Sequence, residues 1–127
     1  MKVFLAALII FFLLLSVILF NAIFLEMKIE KLERQLLSIP LPKKEQKDLT
    51  LQHTYVENVV AEWKRNAYLF SLSVSHQDLM EVELQFSALQ GASAGTSYDD
   101  YITCMSQLLY ALSHLKEMSE INFANVL

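Results

Sequence analysis

The chain has 127 residues, 54% hydrophobic and 19% charged, with a mean hydropathy of +0.36 and a formal net charge of −4. That length holds one modest domain, and only two Gly and two Pro exclude collagen-like, Gly-rich and Pro-rich repeats. The single Cys excludes a disulfide framework within the chain and a zinc site built on Cys pairs.

The apolar excess is concentrated at one end. Residues 3–25 (VFLAALIIFFLLLSVILFNAIFL) carry no charge, and only Ser16 and Asn21 are polar. As a helix rising about 1.5 Å per residue, this stretch reaches about 35 Å, enough to cross a hydrocarbon core of about 30 Å. In lipid each backbone amide needs an internal partner, so the segment is expected to be helical. A cleaved secretory signal is the rival reading. Its apolar region runs about 7–15 residues and ends in a small-x-small site, and neither feature is present around Asn21-Ala22-Ile23. The reading is therefore an uncleaved anchor over 1–25. Its orientation rests on opposed arguments. A short leading tail with Lys2 alone favours a cytoplasmic amino terminus, while Lys28, Lys31, Arg34, Lys43, Lys44 and Lys47 behind the span count against export. The expectation adopted is that the carboxy-terminal domain is extracytoplasmic.

After the span, Leu25, Ile29, Leu32, Leu36 and Ile39 alternate at spacings of four and three, a heptad seam, with charged residues on the opposite face. The spacing predicts that the membrane helix continues as an amphipathic stalk up to Pro40-Leu41-Pro42. There each proline pushes the preceding residue out of the α region. Two readings of the seam stand side by side: packing on the chain's own domain, and homodimerisation. Residues 26–47 are thus read as stalk and linker, with the polar, net-positive run 43–47 closing them.

Residues 48–127 read as a helical domain. Asp48 stands where an N-cap belongs, and Leu49, Val56, Trp63 and Phe70 form a sevenfold row joined by Val59, Val60, Ala67 and Val74. A helix over about 49–72 follows. The stripe then changes phase: Leu72, Leu79, Val82, Phe86 and Leu89 lie on another face. Ser71, Ser73 and Ser75 mark a turn, and Ser75-x-x-Asp78 resembles a capping box that opens a helix from His76 to about Gln90. The small-residue run 91–97 reads as a loop. Ser97-x-x-Asp100 then caps a last helix whose seam is Tyr101, Met105, Leu108, Leu112 and Leu115, widened by Ile102 and Leu109. That helix is expected to fray near 119–122, with the apolar tail 123–127 packing back. The expected fold is all-α: an N-terminal transmembrane helix and stalk, then a small antiparallel bundle of about three helices. No strand pattern occurs.

Charge divides along the chain: residues 1–47 carry +3 and residues 48–127 carry −7. Cations near the headgroups attract anionic lipid, whereas an acidic distal domain offers no phosphate-neutralising surface, so a nucleic-acid role is disfavoured. His53, His76 and His114 fall on three predicted helices without ligand spacing, and His114-Leu-Lys-Glu117 reverses the order a di-metal bundle uses. No metal or cofactor is expected. Cys104 lacks a basic neighbour and reads as a buried, inert thiol. Trp63, with Tyr55, Tyr68 and Phe70 nearby, reads as core packing, and Trp63 with His76 as a structural turn. No phosphate-cradling Gly loop and no nucleophile–base pair is readable in the sequence, so no enzyme is expected.

The chain combines the span, the Trp63-Lys64 pair, His76 thirteen residues after Trp63, the amphipathic helix behind it and the terminal Asn125-Val126-Leu127. The chain thereby resembles a family of uncharacterised small single-span membrane proteins of spore-forming Gram-positive bacteria, a domain of unknown function. The resemblance implies an anchored all-helical domain and brings no activity or ligand. The function expected is a membrane-anchored interaction or accessory domain at the cell envelope, partnered by lipid and by another envelope or membrane protein. Two alternatives are a bitopic coiled-coil scaffold of the cell-division kind, acting as a homodimer through the Leu25–Ile39 seam, and a small-ligand sensor with a polar pocket around His76 and Trp63.

Overall fold

The computed structural model describes residues 1–44, 46–72 and 74–126, with side chains to residue 121. It consists of helices α1 (Lys2–Leu37), α2 (Thr50–Ser71), α3 (His76–Ala94) and α4 (Tyr98–Val126), with no strand among the described residues. The expectations for Ser73 and for back-packing of 123–127 lie outside this described set.

α1 is unbroken for 36 residues, about 54 Å at the usual rise. It stops at Ser38, whose backbone N–H donates to the Arg34 carbonyl at 3.0 Å and whose hydroxyl donates to the Gln35 carbonyl at 2.7 Å. Pro40 enforces the stop, because it denies Ile39 the α region and brings no N–H of its own. The connection to α2 is held by Gln52, a residue the apolar pattern passed over. Gln52 is only 2% exposed and donates to the Pro40 carbonyl at 2.9 Å.

The helix starts follow local chemistry. Asp48 acts one residue earlier than an N-cap would: Leu49 occupies that position, and the Asp48 carboxylate accepts from the Thr50 N–H at 3.0 Å and from the Thr50 hydroxyl. Those bonds, the hydroxyl's first, hold the Asp48 pKa below its ordinary value. Ser75 caps α3, its hydroxyl accepting from the Asp78 N–H at 3.2 Å, and Ser97 does the same for the Asp100 N–H at the start of α4.

Two boundaries differ from expectation. α3 continues through Gly91 to Ala94, which leaves only 95–97 as the loop. A mid-helix Gly costs about 1 kcal/mol. Burial of Leu89 and of Ser93 on the same helical face keeps the chain coiled past it. Likewise α4 runs to Val126 instead of fraying near 119–122.

The helices pack in a ring: α1 on α2, α2 on α3, α3 on α4 and α4 on α1. Cross-links fix the directions. Lys31 meets Glu62 while Pro40 meets Gln52, and Gln90 meets Glu57 while Phe86 meets Trp63, so α1, α2 and α3 are successively antiparallel. One hydrophobic cluster fills the centre, drawing on Leu25, Ile29, Leu32, Leu36 and Ile39, on Val56, Trp63 and Phe70, on Val82, Phe86 and Leu89, and on Tyr101, Leu108, Leu112 and Leu115. The stretch read as a stalk is a member of this ring, its seam covered by the chain's own helices. The physical reason is area: an apolar seam beside three short amphipathic helices gains most by closing their core.

Candidate membrane interface

α1 has two halves of opposite character. From Leu25 onward its seam is buried, with Leu25 and Ile29 at 0% exposure and Leu32, Leu36 and Ile39 at no more than 5%. Before Leu25 it is apolar and open: none of its most apolar 18-residue window is buried, and α1 is long and apolar enough to cross a membrane. The polar Ser16 is satisfied within the segment, its hydroxyl donating to the Phe12 carbonyl at 2.8 Å. The border is marked by Lys28, whose ammonium lies 5.4 Å from the Phe24 ring centroid and 4.0 Å from Glu62.

Just past the border, ion pairs clamp α1 to its neighbours. Glu62 of α2 accepts from Lys31 at 3.3 Å and also pairs with Arg65. The Lys31 hydrogen bond is the main cause that holds the Glu62 carboxyl below its ordinary range. On the other side, Lys116 of α4 donates to Glu30 at 2.8 Å and lies 4.0 Å from Glu26. That contact lowers the Glu30 pKa and raises that of Lys116. Exposed pairs of this kind add little stability, because solvent screens them. Their larger effect is to fix the register of α1, so that its apolar half projects from one end of the domain.

Trp63 and His76 do not share a site. Trp63 is 2% exposed and stacks between Phe70 at 4.9 Å and Phe86 at 5.2 Å. His76 opens α3 on the surface, in an open groove of about 510 Å³ that also includes Met80, Glu81 and Leu84 and not Trp63. A sensor pocket spanning the two residues has no room, because packed aromatic rings occupy the Trp63 side. A homodimer through Leu25, Ile29, Leu32, Leu36 and Ile39 would likewise require α1 to leave the ring, since that seam is already covered within one chain.

One polar cluster escaped the sequence reading. At the end of the domain far from the span, His53 Nδ1 lies 2.8 Å from the Ser93 hydroxyl oxygen, and His53 Nε2 lies 3.6 Å from Glu57. Ser, His and a carboxylate in a row invite comparison with a nucleophile relay. The Ser93 hydroxyl also has the Gln90 carbonyl within reach, at 2.9 Å, so an acceptor on its own helix competes for its proton with the His53 ring. Ser93 is 2% exposed, at the foot of a shallow groove of about 310 Å³ that also includes His53 and Thr50. The cluster ties α2 to α3, and Gln90 adds a bond to Glu57 at 2.6 Å. The signal that could have found it is the spacing Phe86, Leu89, Ser93, which continues the buried face of α3 beyond Gly91.

Cys104 is half-buried and its pKa is raised, by burial first and then by Asp100. Burial also pushes the Tyr101 phenol up to about 12. Among the described residues no cluster of three or more His, Cys, Asp or Glu side chains could hold a metal ion.

Comparison with protein-family models, with curated proteins and with solved structures returns no match.

Proposed function

We propose that the chain is a single-pass membrane protein whose four packed helices form a non-catalytic interaction or accessory domain at the cell envelope, of the same general kind as the uncharacterised single-span proteins it resembles. One observation carries this reading: a single continuous helix is packed in the domain along its second half and, after Lys2, is apolar, free of charge and open along its first. A signal sequence would also be long and apolar. Retention is favoured because the apolar segment runs without a break into the part of α1 that is packed in the domain from Leu25 onward. The side we propose for the domain is the extracytoplasmic one.

For a protein partner, the domain offers exposed Met80 and Leu84 on α3 and Tyr110 on α4. Co-purification of the full chain in mild detergent tests the reading. A specific envelope or membrane protein should be retained, and Leu84→Asp with Tyr110→Asp should release it. Recovery of the chain alone, with neither a partner nor self-association, counts against an interaction role.

A further inference from the structure

Direction and length decide which parts of the domain lie nearest the span. Glu62 of α2 is level with Lys28 and Lys31 of α1, and α2 runs antiparallel to α1 for nine more residues to Ser71. At about 1.5 Å per residue this carries the α2–α3 corner about 13 Å toward the apolar half, level with residues 19–22 of α1. α4 passes Glu26 and Glu30 at Lys116 and continues to Val126, about 15 Å further the same way. Leu15, Leu19 and Ala22 are half-buried over this same stretch of α1. A hydrocarbon core of about 30 Å takes up about twenty helical residues. Counted from Val3, it ends near Ala22, at the height the corner reaches.

The composition changes at the same height. Between Arg65 and Asp78 the chain has no Asp, Glu, Lys or Arg, and after Glu120 it has none to its end. These are the two parts of the domain that descend beside the span. They present Tyr68 at 72% exposure, Leu72 at 62% and Ile121 at 43%. Leu72 belongs to the apolar stripe by spacing yet finds no cover in the ring. The far end also shows Leu37, Leu41 and Leu51, but there Arg34, Lys43, Lys44, Lys47 and Asp48 are interleaved with them.

We propose that the α2–α3 corner and the end of α4 make a second membrane contact, with Tyr68, Leu72 and Ile121 in the headgroup–acyl boundary of the bilayer that α1 crosses. The domain is then seated directly on lipid. This rests on the reading of α1 as a span. The occupant follows from continuity: exposed Tyr68, Leu72 and Ile121, with no Asp, Glu, Lys or Arg on the corner, lie on the side where an apolar helix leaves the domain, and Tyr together with the uncharged polar Ser71, Ser75, His76 and Gln77 suits a headgroup boundary. Asp78, Glu117 and Glu120 limit the depth, since their carboxylates have to stay hydrated.

The test uses the full chain in phosphatidylcholine nanodiscs, one chain per disc. In a Cys104→Ser background, single cysteines at Leu13→Cys, Leu72→Cys and Thr96→Cys carry an environment-sensitive fluorophore. Doxyl lipids quench from the bilayer and iodide from water. The proposal expects the labels at positions 13 and 72 to lose fluorescence to doxyl lipid and resist iodide, and the label at 96 to do the reverse. If position 13 is quenched by lipid while 72 responds to iodide, or is shielded from both quenchers, the second contact is refuted and the span stands. If position 13 is not quenched by lipid, the span reading fails and takes this proposal with it.

Discussion

Truncating Leu32 to Ala separates a helix that completes the domain from a seam that joins two chains. Leu32 is 1% exposed and belongs to the central cluster shared by all four helices. Leu→Ala at a buried site costs about 2–5 kcal/mol, with the higher figures where the cavity cannot collapse. The ring leaves α1 tied by Glu62 and Glu30, so partial collapse gives a loss of about 3 kcal/mol. For a domain of about a hundred residues, roughly 4–5 °C per kcal/mol converts this to a fall of about 12–15 °C in Tm. Far-UV circular dichroism of the full chain in micelles, at two chain concentrations tenfold apart, reads it. The fall should be the same at both concentrations. Leu37→Ala on the same helix, at an exposed site, should cost less than about 0.5 kcal/mol. A parent Tm that rises with concentration, joined to a Leu32→Ala variant that has lost this dependence, would show that the seam joins chains and refute the argument.

Three further changes probe separate contacts. The Glu62 carboxyl is held below its ordinary 4.5 by Lys31, so its pairing stabilises the fold above about pH 4.5 and is lost as pH falls through the lowered value. Glu62→Gln should cost up to about 1 kcal/mol at neutral pH, and urea midpoints should show the gap closing in acid; a gap independent of pH contradicts the pairing. Ser93→Ala removes the hydrogen-bond partner of His53 Nδ1 and should cost about 1 kcal/mol, with Ser93→Ala and His53→Ala together costing less than their sum; strict additivity would dissolve the tie between α2 and α3. Gly91→Ala should raise stability by about 1 kcal/mol, because a Cβ there meets nothing within 4 Å and the backbone is helical; a loss of stability would mean that the site is not an open helix face.

Much of this architecture was legible in the sequence because apolar spacing reports a buried face. The sevenfold row Leu49, Val56, Trp63, Phe70 is buried throughout, and Ser75 and Ser97 cap the helices they were expected to open. Boundaries were less legible where a local preference was outweighed by packing, as at Gly91, which interrupts neither the helix nor the face that ends in Ser93. The partner of the Leu25–Ile39 seam could not be read at all. A heptad specifies that a face wants cover and is silent on whether the cover comes from the same chain. The His53–Ser93 contact was hidden for a related reason: forty residues separate its members, and only the antiparallel pairing of α2 and α3 brings them together. Leu72 shows the converse, a residue in register with a buried stripe that stays exposed because the helix ends before it.

The account depends on the apolar half of α1 staying attached and in the bilayer. Intact-mass spectrometry of the chain recovered from membranes washed with alkaline carbonate tests this most directly. The account predicts a species in the pellet that retains residues 3–25, close to 14.6 kDa for the sequence as given. A species released into the supernatant and lacking those residues would contradict it.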